Sequence, residues 1–133
     1  MPMTIEWNTS AASRLSRGDL AAFDGSSIPM WIFDVRTLAF LAVNDAAVTE
    51  YGYTRKQFLA MSILDIRPSE EIVPMIRKEK GRHNSDRETW RHRKSDGSIV
   101  GVSISGHPIT FHNRYAEIET VEECHSKEVD TKL

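Results

Sequence analysis

The stretch that most constrains the fold is RETWRHRKSDGSIVGVSIS, residues 87 to 105. Trp90 and His92 alternate with Thr89, Arg91 and Arg93. Asp96-Gly97 then supplies a turn dipeptide, and Val100, Val102 and Ile104 alternate with smaller residues. Period-two alternation on both sides of Asp-Gly specifies a β-hairpin, because the pleat sends successive side chains to opposite faces and the turn needs positive φ. HPITF prolongs the second strand, Asn113 suits a positive-φ turn position, and YAEIETVEE returns as a third. The last third of the chain is therefore an antiparallel meander.

The first half has a different period. Ser10 to Asp24 is helix-prone, with Leu15, Ala22 and Phe23 toward one side, and Gly25 suits a left-handed position after its end. MWIFD and LAFLAVN, separated by VRT, are short apolar runs that predict a hairpin of mostly buried strands. Asn44 caps a helix with Ala47, Val48 and Tyr51 on one face. That helix ends at Gly52. Thr54 with Gln57 then forms a capping box for the next, with Tyr53 and Phe58 as its hydrophobic staple. SILDIRP is an irregular apolar connection. Pro74 divides SEEIVPMIRKEKG into one tight turn at 69–72 and a helix beginning near the proline. Helix, two strands, several short helices and three strands make an α+β domain with one antiparallel sheet.

Composition narrows the function. Of the 133 residues, 17 are basic and 19 acidic, a formal charge of −2, which gives no electrostatic footprint for nucleic acid. Cys124 is the only cysteine, as suits a reducing, cytoplasmic setting. No apolar run approaches the roughly 20 residues of a membrane span. His83, His92, His107, His112 and His125 show no metal-ligand spacing, and Cys124 and His125 would point to opposite faces of a strand. No catalytic or metal set is expected.

IPMWIFDV, AVNDAAVTEYGYTRKQFLAMSILDIRP, TWRHRKSDGS and FHNRYAEIETVEECH resemble, in this order, the segments of a PAS domain of bacterial signalling proteins such as sensor histidine kinases and diguanylate cyclases. Asn44, Ala46, Ala47, Tyr51, Gly52 and Tyr53 carry the densest match, and Trp90 to Gly97 the second. The resemblance implies a five-stranded antiparallel sheet with short helices on one face and a cavity between them. It also implies a sensory role, coupling a small ligand or cofactor to a linked or partner effector, with homodimerisation through a helix ahead of the first strand. Residues 1–25 would hold that flanking helix, 26–125 the sensor domain, and 126–133 a tail or linker.

Ligand-pocket candidates on this reading are Asn44, Tyr51, Trp90, His92 and Ile104, although Asn44 is first a cap and Tyr51 first a core residue. Trp90 and His92 share a face of their strand. One assignment puts both in the cavity; the other packs Trp90 against the N-terminal helix or a second copy and leaves His92 half-exposed. Leu15, Leu20 and Phe23 are the dimer-interface candidates. Glu123, Cys124 and His125 stand where many members have an Asp-Ile/Val-Thr triplet that couples sensor to effector, and His125 replaces the hydroxyl. Haem-binding members use a histidine in the helix before the third strand; residues 69–80 contain none. Flavin photosensors carry Asn-Cys-Arg-Phe-Leu-Gln where SILDIRP stands, so neither cofactor is supported and the ligand stays unidentified. Two alternatives remain: a ligand-free dimerisation module, and a small cavity enzyme built on Asp34, Asp45 or Asp65.

Overall fold

The structure, a computed structural model, describes residues 13–71 and 88–123. Strands β2 (Met30–Asp34), β3 (Phe40–Val43), β4 (Glu88–Arg93), β5 (Ile99–Phe111) and β6 (Arg114–Glu123) form an antiparallel sheet, to which a two-residue strand β1 (Ser13–Arg14) adds in parallel beside β5. The order is β1-β5-β6-β2-β3, with β4 also on β5. As the alternation requires, β5 is central: it pairs with β4 from Ile99 to Ile104 and with β6 from Val102 to Phe111.

Helices α1 (Arg17–Gly25), α2 (Asp45–Tyr51) and α3 (Arg55–Leu59) are set by local chemistry. Thr54 and Gln57 form the reciprocal capping box, and the Tyr53 and Phe58 rings meet at 5.4 Å as a staple. Gly52 closes α2 at φ 83°, and its N–H bonds to the Val48 carbonyl. SILDIRP contains a capped 3-10 turn, Ile63–Ile66, with Ser62 and Asp65 closing their own box. Ser69–Glu71 is a second such turn, and the helix expected near Pro74 lies outside the described residues.

Two expectations are corrected in the N-terminal segment. The helix starts at Arg17, behind a Ser16 and Asp19 capping box, because Ser13 and Arg14 are extended along β5. Gly25 lies within its last turn and does not have positive φ.

Both faces of the sheet are covered. Inside, Trp31, Phe33, Phe40, Val43, Tyr51, Phe58, Ile63 and Ile66 pack with Val102, Ile104 and Val121. Outside, Phe23 of α1 sits among Met30, Ile32, Ile109, Ala116 and Ile118, with Leu15 against the same cluster. The helix thus folds back on its own sheet. Phe23 and Leu15, expected at a dimer interface, are used within the chain, whereas Leu20 stays 37% exposed.

Gly52 and Gly25 give a paired test. At Gly52 a Cβ would strain the left-handed backbone and collide with the Ser95 hydroxyl, whereas at Gly25 nothing lies within 4 Å of it. Gly52→Ala should cost about 1–2 kcal/mol in denaturant unfolding. Gly25→Ala should leave stability level or slightly higher.

Candidate functional site

The interior between the sheet and α2, α3 and the SILDIRP turn is aromatic, but polar groups cross it. Register decides which ones. Trp90 lies opposite Val102 and His92 opposite Val100, so both belong to the inner face. His92 is completely buried, which corrects the half-exposed alternative, and Trp90 packs against the inner core rather than against α1.

Tyr51, at the end of α2, reaches across to β4. Its phenol oxygen and His92 Nδ1 are 2.6 Å apart, both buried. Burial first, and then the positive charge of Arg67, hold the imidazole well below its ordinary pKa, so it is neutral at pH 7. Burial likewise pushes the phenol of Tyr51 far up, so it keeps its proton. The pair is therefore a neutral hydrogen bond between helix and strand. His92 Nε2 has no hydrogen-bond partner among the described residues.

Two further polar groups lie beside this pair, and neither was among the candidates read from the sequence. Glu119, only 2% exposed, accepts a hydrogen bond from Trp31 Nε1 at 2.8 Å. It reaches the interior because β6 sets Glu117, Glu119 and Val121 on the face shared with Trp31 and Phe33. Arg67, 3% exposed, places its guanidinium 4.4 Å from the centre of the Trp90 ring, a cation–π contact. Pro68 explains the backbone there. The residue before a proline is pushed out of the helical region, and Arg67 is extended at φ −111°, ψ 145°. Its carbonyl accepts from Arg93 Nη2 at 2.9 Å, tying the turn to β4.

The remaining candidates divide. Ile104 is buried in the inner core. Asn44 is not open to a ligand, because its amide is fully used. Oδ1 accepts from Met30 N and Ala47 N, and Nδ2 donates to the carbonyls of Phe23 and Ile28. Glu123 ends β6 with a carboxylate 3.6 Å from Lys94 Nζ; Cys124 and His125 lie outside the described residues. Asp34, Asp45 and Asp65 serve turn, ion pair and cap. Asp34 accepts from Arg36 N and Thr37 N and pairs with Arg114 at 2.7 Å, Asp45 pairs with Arg55, and Asp65 closes the Ser62 box. Among the described residues no three His, Cys, Asp or Glu side chains gather as a metal site.

No family model matches the sequence. No curated protein matches it significantly. Solved structures do. The PAS domain of a two-component sensor histidine kinase is similar at TM-score 0.68 and 23% identity, over 78% of this chain and 91% of that one. The PAS domain of an HTR-like protein from Haloarcula marismortui is similar at 0.67 and 17%, over 78% and 87%. A third, the PAS domain of a LuxR-family transcriptional regulator from Burkholderia thailandensis in complex with ethanol, gives 0.64 and 15%, over 84% and 100%. The chain has the PAS fold.

Removing the Tyr51 hydroxyl leaves the buried His92 Nδ1 without its partner. Tyr51→Phe should cost about 1–3 kcal/mol, and adding His92→Leu should recover part of it. The pH dependence follows from the lowered imidazole pKa. Below the unfolded value of about 6.5 the unfolded chain binds a proton that the folded chain refuses. Stability is whole above that pH and falls as the pH drops toward the folded value. Urea titrations between pH 7.5 and 5.5 should show a shallower loss in His92→Leu than in the parent; equal slopes would overturn the assignment.

Proposed function

We propose that this PAS-fold chain is a sensory signalling module, binding an unidentified small ligand or cofactor in its interior and regulating a linked or partner effector. The observation that carries the reading is the buried polar set of the interior: Arg67 on the Trp90 ring, the Tyr51–His92 pair and the Glu119–Trp31 bond. Buried charge and unmet hydrogen-bonding capacity cost stability that apolar residues of similar volume would not forfeit. Their placement between sheet and helices suits recognition of a ligand with both an aromatic or apolar surface and polar atoms. The similarity to a sensor histidine kinase domain supports the signalling role. The single cysteine agrees with action in the cytoplasm.

Native mass spectrometry of the chain purified from its own host tests the ligand. The expected spectrum shows the chain with a bound small molecule, and Trp90→Ala loses it. The bare chain mass alone would favour the ligand-free interaction module instead.

Homodimerisation belongs to the same proposal, but rests on Leu20 rather than on the whole helix, since Phe23 and Leu15 pack internally. Sedimentation at micromolar concentration should show a dimer weakened at least about tenfold by Leu20→Lys, as expected for a charge placed in an apolar contact. A monomeric parent would overturn it.

A further inference from the structure

His92 Nε2 is a fully enclosed polar atom with no hydrogen-bond partner among the described residues. Whether it is a donor or an acceptor follows from the other ring nitrogen. The Tyr51 phenol oxygen, 2.6 Å from Nδ1, has that nitrogen as its one hydrogen-bond partner among the described residues. Two arrangements of protons can be drawn for this neutral pair. In the first the phenol donates to Nδ1, the ring proton sits on Nε2, and one donor is unmet, the Nε2–H. In the second Nδ1–H donates to the phenol oxygen, which leaves both the phenol proton and the Nε2 lone pair unmet.

Two observations select the first arrangement. It strands one buried group rather than two, and each stranded group bears the full cost of its desolvation. The separation is also that of a hydroxyl donor: hydroxyl hydrogen bonds run from about 2.5 to 3.0 Å, whereas those given by N–H start near 2.7 Å, and this one is 2.6 Å. A metal ion on Nε2 would demand the second arrangement, because it takes the lone pair of that nitrogen, and would strand the phenol proton. The atom suited to meet Nε2 is therefore an acceptor.

We propose that His92 Nε2–H anchors the interior ligand, and that this ligand is a small neutral carbonyl compound whose oxygen accepts from Nε2 and whose aromatic or apolar body lies among the rings. The inference deepens the function proposed above and rests on it. Nε2 lies across the imidazole from Nδ1, so its N–H points away from Tyr51 and is not shared with it. The surroundings of the ring are apolar. Trp31 and Tyr51 stand 5.6 Å from it, and Val100 lies opposite His92 in the sheet. A carbonyl brings an acceptor to such a place without a donor that would need a partner of its own, and, unlike a carboxylate, without a charge to bury. The positive charge of Arg67, which reaches the imidazole, also favours the oxygen end of a carbonyl dipole over a second donor. His92 is thus the residue that sets which end of a ligand enters, while Tyr51 sets which end of His92 is on offer.

The proton is located first, by long-range proton–nitrogen correlations of the histidine rings in the full chain near neutral pH, with the His92 signals assigned by their loss in His92→Leu. The expected ring carries its proton on Nε2; a proton on Nδ1 would overturn the proposal whatever the chain binds. Acetophenone and ethylbenzene, which match in shape except for the oxygen, are then titrated into the same sample. Acetophenone should bind about tenfold tighter, as one hydrogen bond to a buried donor provides. It should move the Nε2–H proton downfield, which ethylbenzene does not. In His92→Leu the preference should vanish while ethylbenzene binds as before, and where that variant fails to fold the readings on the parent chain decide. Equal affinity for the two probes, an Nε2–H signal that ignores saturating acetophenone, or no binding at millimolar acetophenone would each overturn the proposal. A bare chain mass from the host counts against an interior ligand altogether, and is read separately from the position of the proton.

Discussion

The side chain of Asn44 is the joint on which the domain depends. Its four hydrogen bonds reach the carbonyls of Phe23 and Ile28, the N–H of Met30 and the N–H of Ala47. One amide thus ties the end of α1, the approach to β2, the first residue of β2 and the first turn of α2. All of it is buried, so each bond replaces one that water would otherwise make, and none of the four is expendable without leaving a desolvated group. With α2 fixed at its start by Asn44 and stopped at its end by Gly52, Tyr51 has one place to go. It lies against β4, at hydrogen-bond distance from His92.

The interior combines dense aromatic packing with polar groups that such packing would normally exclude. Trp31 meets Phe40 edge-on at 5.3 Å and Tyr51 at 5.4 Å, while its indole N–H is satisfied by Glu119. Edge-to-face rings of this kind add to what area burial provides, and they fix orientation. A carboxylate, a guanidinium and an imidazole are held among them by geometry that a fluid core would not maintain. That rigidity holds the three polar contacts in fixed places among the rings.

Much of this was legible in the sequence because local chemistry wrote it there. The Thr54 and Gln57 box, the Gly52 stop and the Asp96-Gly97 turn are short-range devices, and the alternation from Thr89 to Ile104 needed only the period of a strand. What alternation does not label is the face. In β6, Ala116 and Ile118 alternate with Glu117 and Glu119, and solvent-side glutamates are the ordinary expectation. The opposite holds because α1 covers the outer face, so Ala116 and Ile118 are buried there and the glutamates turn inward. The same missing fact, that α1 folds back on the sheet, put Phe23 and Leu15 at an expected dimer interface. Arg67 escaped notice for another reason. An arginine within ILDIRP suggests a charge at the rim of an apolar turn, and only the extended backbone imposed by Pro68, together with Trp90 across the way, makes it an interior residue.

Tyr51 is where interior and surface meet. Its ring lines a surface cleft, its hydroxyl engages His92, and the strand carrying His92 continues into the hairpin from which Lys94 reaches Glu50 and Glu123. Two contacts thus join neighbouring residues of α2 to one hairpin, Tyr51 to His92 and Glu50 to Lys94. Two adjacent attachments resist a small rotation of α2 better than one, because each fixes a different residue of the helix end. A rotation of α2 large enough to release Tyr51 from His92 also moves Glu50, its neighbour on the same helix. Close-packed interiors change by such discrete steps rather than by gradual deformation. Lys94 also lies 3.6 Å from Glu123, so the end of β6 is tied to the same hairpin that holds the end of α2.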